Sequence, residues 1–133
     1  MRKLECIMLV DDDPNDNFFH ERVIKKCNAA EVIVVKDSGK SALEYLRSNR
    51  SDGELRPNLV FLDVNMPSMN GWEFLEEYER LDASFKSSVI VVLLTTSENP
   101  DDRAKAVAMN VDFSTKPLTR ETLEEILGRY PNS

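Results

Sequence analysis

Five short apolar runs alternate along the chain with segments in which apolar residues recur every three or four positions. Each run is bounded by polar residues, and runs of this length are typical of strands buried on both faces of a parallel sheet. The spacing between the runs is typical of helices that bury one face. The runs that predict strands span residues 6–10, 32–35, 59–62, 89–94 and 111–115.

Helix starts are visible between the predicted strands. Asp13 is a favoured N-cap residue, and Pro14 fits the first helical position. Ser38 and Thr119 are placed to cap two further helices. The strict alternation of strands and helices predicts one α/β domain, in which helices cover both faces of a five-stranded parallel sheet.

The first helix carries apolar residues at helical spacing. Phe19, Val23 and Cys27 are therefore expected to face the sheet. His20 stands beside charged residues and is expected to be exposed to solvent. Cys6 and Cys27, the two cysteines of the chain, have apolar neighbours, which favours buried free thiols over a disulfide or a metal pair.

Charge and length exclude several classes of protein. The chain has 133 residues and a formal net charge of −7, with lysine and arginine scattered along it. Binding to nucleic acid or to anionic lipid is therefore disfavoured. No apolar run is long enough to span a membrane, and the N-terminus lacks the pattern of a signal peptide. A cytoplasmic location is the expectation.

Candidate site residues follow four of the five predicted strands. They are Asp11, Asp12 and Asp13 after the first, Asp63 after the third, Thr95 after the fourth and Lys116 after the fifth. The carboxyl ends of parallel strands lie along one edge of a sheet, where open α/β sheets place their ligands. These side chains are therefore expected to converge, although about a hundred positions separate the first from the last.

Clustered carboxylates need a partner of opposite charge. Two carboxylates 4 Å apart repel by about 4 kcal/mol at an effective dielectric constant near 20. A proton, a lysine or a divalent cation can offset that repulsion. Oxygen ligands favour a hard ion such as Mg²⁺, and there is no set of histidines and cysteines for zinc. Asp13 is interpreted as the helix cap and not as a ligand.

Taken together, the motifs at the strand ends resemble those of a known family. Asp11-Asp12, Asp63 followed by Met66-Pro67 and Gly71, Thr95, and Lys116-Pro117 together are similar to the receiver domain of bacterial two-component response regulators. The resemblance covers nearly all of residues 1–133 and implies a single receiver domain with no output domain. It also implies a flavodoxin-like (βα)5 three-layer sandwich with strand order 2-1-3-4-5.

The resemblance assigns roles to the residues at the strand ends. Asp63 would accept a phosphoryl group from a histidine kinase or a phosphotransfer protein. Asp11, Asp12, Asp63 and the backbone carbonyl of Asn65 would hold Mg²⁺. Lys116 would pair with Asp63 at rest and with a phosphoryl oxygen after transfer.

A switch is implied as well. The Thr95 hydroxyl would move to a phosphoryl oxygen, and Phe113 would follow, which would change the face formed by the last two helices and the last strand. A downstream protein would read this face, and a homodimer formed through it is left open. Thr96 departs from the family, which mostly has alanine or glycine there, and its extra bulk would narrow access to the site.

Three alternatives compete with this hypothesis. A flavodoxin-type FMN-binding protein would need a phosphate cradle after the first strand, where three aspartates stand instead. A haloacid-dehalogenase-like phosphatase needs a second acid two residues after the nucleophile, and that residue is Asn65. The remaining alternative is a receiver-like binding module that acts without phosphate. Thr96 favours it, and the intact set of acids with Thr95 and Lys116 argues against it.

Overall fold

In the computed structural model, strands and helices alternate along the described residues, which are 3–48, 57–66, 68–80, 90–96, 100–109 and 111–129. The strands are β1 (Leu4–Val10), β2 (Ala30–Lys36), β3 (Leu59–Leu62), β4 (Ile90–Thr95) and β5 (Asp112–Thr115). The helices are α1 (Pro14–Lys26), α2 (Gly39–Ser48), α3 (Gly71–Glu79), α4 (Pro100–Ala108) and α5 (Arg120–Arg129). Pro67 of the predicted motif lies outside the described residues.

The five strands form one parallel sheet in the order β2-β1-β3-β4-β5. This confirms the flavodoxin-like α/β fold with strand order 2-1-3-4-5. Val10 pairs with Lys36 on one side and Leu62 on the other, and Leu62 pairs with Leu93. Because the ends of neighbouring strands are in register, residues that follow them share one edge of the sheet.

Alternate residues of the central strands point to opposite faces of the sheet, and each face has its own core. One core joins the sheet to α2, α3 and α4, through Met8, Val10, Val60, Leu62, Leu93, Leu46, Phe74, Leu75 and Ala106 among others. The other joins it to α1 and α5, through Ile7, Leu9, Phe61, Val92, Leu94, Ile24, Leu123, Ile126 and Leu127 among others. Each fully buried aliphatic or aromatic side chain contributes roughly 1.5–3 kcal/mol, so these two layers fix the sheet on which the site is built.

The predicted helix caps are present. Asp13 Oδ1 accepts a hydrogen bond from the backbone N–H of Asn15 at 2.9 Å, which confirms Asp13 as the N-cap of α1. The Ser38 hydroxyl accepts from the N–H of Ser41 at 3.1 Å. The Thr119 hydroxyl accepts from the N–H of Thr122 at 3.1 Å. Each cap satisfies a backbone donor that the helix leaves free in its first turn.

The inward face of α1 differs from the prediction at Phe19, whereas Val23 and Cys27 pack against the core as expected. Phe19 is 48% exposed, and the buried residues of the helix are Asn17, His20 and Ile24. The Asn17 side-chain amide donates to the backbone carbonyl of Asp11 at 2.8 Å, and this bond fixes the rotation of the helix about its axis. His20 and Ile24, three and seven positions after Asn17, then also face the sheet. The expectation that His20 is exposed was wrong.

The cysteines match the expectation of free thiols. Cys6 is buried in β1 and Cys27 is half-buried at the end of α1. Burial raises the pKa of the Cys6 thiol to about 11, so it stays protonated at neutral pH. Within the described part of the chain, no helix has the length and apolar character needed to cross a bilayer.

Gly71 lets α3 begin against the end of β3. Its backbone N–H donates to the Val64 carbonyl at 2.9 Å. A Cβ at this position would lie 2.8 Å from the Asp63 carbonyl oxygen and 2.9 Å from Val64 Cα. Both contacts are with backbone, so a methyl group fits only if α3 or the segment after β3 moves.

Gly71→Ala is therefore expected to lower the free energy of unfolding by about 1–3 kcal/mol, the usual cost of overpacking. The matched control is Gly128→Ala in α5, where an added Cβ meets no atom within 4 Å. This control should raise the free energy of unfolding by roughly 0.5–1 kcal/mol through its helix propensity. Urea unfolding measures both changes, and a Gly71→Ala variant as stable as wild type would contradict the close approach.

Candidate functional site

Strand pairing continues one residue past β3 and β5 and so positions the side chains of the site. The backbone N–H of Asp63 donates to the Val10 carbonyl at 3.0 Å, and the N–H of Lys116 donates to the Thr95 carbonyl at 2.8 Å. Asp11 directly follows β1 and donates its own N–H to the Lys36 carbonyl at 3.1 Å. The three side chains therefore leave from backbone that is held by the sheet.

Three of the predicted acids meet at this edge. One carboxylate oxygen from each of Asp11, Asp12 and Asp63 can be chosen so that all three lie within 4.8 Å of one another. Asp11 is 4% exposed and Asp63 is 6% exposed, whereas Asp12 is open to solvent. Because the donors are all carboxylate oxygens and one side of the cluster is open, the arrangement fits a hard divalent cation that keeps some of its water, as Mg²⁺ does.

Lys116 lies among the acids, as expected, but Asp63 is not its nearest partner. Its Nζ is 2.7 Å from Asp11 Oδ2, 2.8 Å from Asp16 Oδ2 and 3.3 Å from Asp63 Oδ1. The ion pair between Lys116 and Asp63 is therefore present and is the longest of the three. Asp16 was not among the predicted site residues, since an acid in the first turn of a helix is also explained by the helix dipole.

The burial of the site changes how its groups titrate. The pKa of Asp63 is raised to about 6, mainly by burial and then by the charge of Asp11. The ammonium of Lys116 and a hydrogen bond from the backbone of Asn65 act in the opposite direction. For Lys116, burial lowers the pKa, but hydrogen bonds to Asp11 and Asp16 and the charges of Asp63 and Asp11 raise it by more, so the amine stays protonated.

The raised pKa of Asp63 predicts a pH dependence of stability. The ordinary pKa is 3.8 and the folded value is about 6, so folding favours the protonated acid. The protonated acid therefore stabilises the folded state fully below about pH 4, and this stabilisation is lost as the pH rises through about 6. Relative to Asp63→Asn, metal-free wild type should lose up to about 3 kcal/mol of unfolding free energy over this interval. Urea unfolding in EDTA at several pH values measures it, and a difference independent of pH would contradict it.

A family model for the response regulator receiver domain matches residues 7–128. The chain belongs to this family. It is similar to the probable methanogenesis regulatory protein FilR2 of Methanothrix harundinacea, with 33% identity over 125 residues that cover 90% of this chain and 79% of FilR2. It is also similar to response regulator Rcp1 of Synechocystis, with 31% identity over 109 residues that cover 81% of this chain and 73% of Rcp1.

Solved structures of response regulators match this receiver as well. A two-component response regulator from Cytophaga hutchinsonii superposes with a TM-score of 0.90 and 34% identity, covering 99% of this chain and 100% of the other. The phosphorylated cyanobacterial phytochrome response regulator RcpA gives a TM-score of 0.74 and 28% identity, covering 96% of this chain and 91% of the other. The fold and family inferred from the sequence motifs are confirmed.

Thr95 and Phe113, the predicted switch residues of this receiver, lie on the neighbouring strands β4 and β5. Thr95 is the last residue of β4 and is completely buried, whereas Thr96 beside it is exposed. Phe113 is half-buried, and the guanidinium carbon of Arg103 lies 5.1 Å from its ring centroid. The ring thus stands between the core and the face formed by α4, β5 and α5. Its movement with Thr95 stays a prediction.

His20 is a residue of the receiver site that was missed. It is 3% exposed and lines a small cavity behind the acids, together with Asn17, Asp11 and Asp63. Burial lowers the pKa of its imidazole, and the charge of Lys116 lowers it further, against the opposing charges of Asp16 and Asp11. The imidazole therefore binds a proton less readily than that of an exposed histidine. Asn17 and His20 are three residues apart, a spacing that places both on the same face of a helix. This spacing could have indicated that His20 faces the sheet.

Proposed function

We propose that this receiver accepts a phosphoryl group on Asp63 from a histidine kinase or a phosphotransfer protein, in a reaction that depends on Mg²⁺. The observation that carries the proposal is the position of the Asp63 carboxylate. It is buried at the end of a central strand, within 4.8 Å of oxygens of Asp11 and Asp12 and 3.3 Å from the Lys116 ammonium. A reactive carboxylate, a set of oxygen ligands and a cation thus share one edge of the sheet.

The ion would be held by the carboxylates of Asp11, Asp12 and Asp63, with the backbone carbonyl of Asn65 as a further ligand. When bound, it supplies positive charge that offsets the charge on the phosphoryl oxygens. The Asp63 carboxylate attacks phosphorus in line, and an O–P bond forms as the P–N bond to the donor imidazole breaks. The released imidazole takes up a proton, and Lys116 pairs with a phosphoryl oxygen.

The proposed phosphorylation would act on partners by changing the face formed by α4, β5 and α5. The hydroxyl of Thr95 reaches a phosphoryl oxygen, and Phe113 moves with it. A downstream protein, or a second copy of the chain, reads the face formed by α4, β5 and α5. Support comes from the position of Phe113, which packs on the core and contacts Arg103 of α4. Action without a fused output domain stays a prediction.

Intact mass and Trp72 fluorescence test the proposal. Trp72 is 8% exposed and follows Gly71, which lies against the Asp63 backbone, so the indole should report changes at the site. With acetyl phosphate, wild type should gain one phosphoryl group in Mg²⁺ and none in EDTA, and the fluorescence should change in parallel. If neither signal depends on Mg²⁺, the alternative of a binding module that acts without phosphate is favoured instead.

A further inference from the structure

Asp16 contacts the site from α1, outside the set of strand ends. Its Oδ2 lies 2.8 Å from Lys116 Nζ, although a hundred positions separate the two residues. The Asp16 side chain is 39% exposed, whereas those of Lys116 and Asp11 are 9% and 5% exposed. Asp16 therefore reaches the buried ammonium from the solvent-facing rim of the site.

The three carboxylates around Lys116 match the three N–H donors of an ammonium group. The contacts to Asp11 and Asp16 are hydrogen bonds of 2.7 and 2.8 Å, and the distance to Asp63 is 3.3 Å. In the resting protein the ammonium thus lies closer to Asp11 and Asp16 than to Asp63. If the ammonium moves towards a phosphoryl group on Asp63 to form a short contact there, it moves away from Asp11 and Asp16, and one of the two shorter contacts lengthens.

Asp16 is the partner that can release the ammonium at the lower cost. Asp11 is buried and also accepts a hydrogen bond from the backbone N–H of Asp13 at 3.0 Å. Leaving Asp11 without its cation would strand a charge away from water, which is costly. Water can solvate the half-exposed Asp16 carboxylate once the ammonium moves, so this contact is the weaker one to break.

We infer that Asp16 is a positioning residue: it holds Lys116 toward α1 in the resting protein and competes with the phosphoryl group for the ammonium. This inference rests on the proposed phosphorylation of Asp63. It predicts that the affinity of the site for a phosphoryl group is set partly by a carboxylate that touches neither the phosphoryl group nor the acceptor.

The test compares Asp16→Asn with Asp13→Asn by titration of beryllofluoride in Mg²⁺, followed through Trp72 fluorescence. Both variants lose one negative charge at the N-terminal end of α1, and asparagine at position 13 keeps the N-cap. Of these two aspartates, only Asp16 contacts Lys116. Asp16→Asn should bind beryllofluoride about three- to tenfold more tightly than wild type, and Asp13→Asn should stay within about twofold of it.

Two further variants separate positioning from a structural effect. Asp16→Glu keeps a carboxylate that can reach Lys116 and should return the affinity to within about twofold of wild type. In a Lys116→Met background, adding Asp16→Asn should leave the affinity unchanged, because the group it competes for is absent. Unfolding in urea confirms that each variant is folded at the temperature of the titration.

Contrary results are distinguishable from one another. Equal tightening in Asp16→Asn and Asp13→Asn would show a general effect of charge and overturn the role of the contact. Unchanged or weaker binding in Asp16→Asn would overturn the competition with the phosphoryl group. If wild type itself gives no response to beryllofluoride in Mg²⁺, the proposed function fails and the inference fails with it.

Discussion

Asp63→Asn is expected to take up no phosphoryl group from acetyl phosphate under conditions in which wild type is modified. The amide has nearly the shape of the carboxylate but is a poor nucleophile and cannot form the acyl phosphate. The variant should remain folded, because asparagine also removes a buried charge that lies beside Asp11. Intact mass spectrometry in Mg²⁺ measures the outcome directly.

Asp37→Asn is the matched control for this variant. Asp37 directly follows β2 at the same edge of the sheet, is exposed, and lies outside the described cluster formed by Asp11, Asp12 and Asp63. It should be phosphorylated to the same extent as wild type. Uptake of a phosphoryl group by Asp63→Asn, or equal loss of uptake in Asp37→Asn, would show that the acceptor is a different residue.

Lys116→Met is expected to cause the largest loss of stability. It leaves the buried carboxylates of Asp11 and Asp63 without their cation, and removing one member of a buried ion pair costs about 3–5 kcal/mol. A divalent ion in the acid cluster would supply part of the missing positive charge. The loss in unfolding free energy should therefore be greater in EDTA than in millimolar Mg²⁺. Urea unfolding in the two buffers measures both values.

The exposed Lys26 of α1 provides the control for lost positive charge. Lys26→Met should change the free energy of unfolding by less than about 1 kcal/mol in either buffer. A comparably small effect of Lys116→Met would show that the ammonium does not offset the charge of the acids. An effect of equal size in EDTA and in Mg²⁺ would argue against a cation site at these carboxylates.

The parts of the site that lie at strand ends were predictable from the sequence. A strand buried on both faces is visible as an apolar run, so the residue after the run is located to within a position or two. Parallel pairing then brings such residues to one edge, and Asp11, Asp63 and Lys116 lie there as expected. Their roles in phosphoryl transfer, and those of Thr95 and Phe113, stay predictions.

The contributions of α1 were not predictable in the same way. The inward face of a helix depends on its rotation about its axis, and here the bond from the Asn17 side chain to the Asp11 carbonyl sets that rotation. The apolar pattern favoured Phe19 as an inward residue, but Asn17 and His20 are buried instead. Asp16 carries the ordinary signature of a first-turn acid, and its partner lies a hundred positions away. Such a contact is fixed by tertiary structure alone.

The glycine at the start of α3 has a consequence for protein engineering. Since the backbone of Asp63 and Val64 leaves no room for a Cβ at position 71, the close approach of α3 to the end of β3 depends on the glycine there. A graft of the segment from position 63 to position 71 onto another α/β scaffold should therefore include both the aspartate and the glycine, at their native separation. With a larger residue at position 71, the following helix would be expected to move away from the end of the strand.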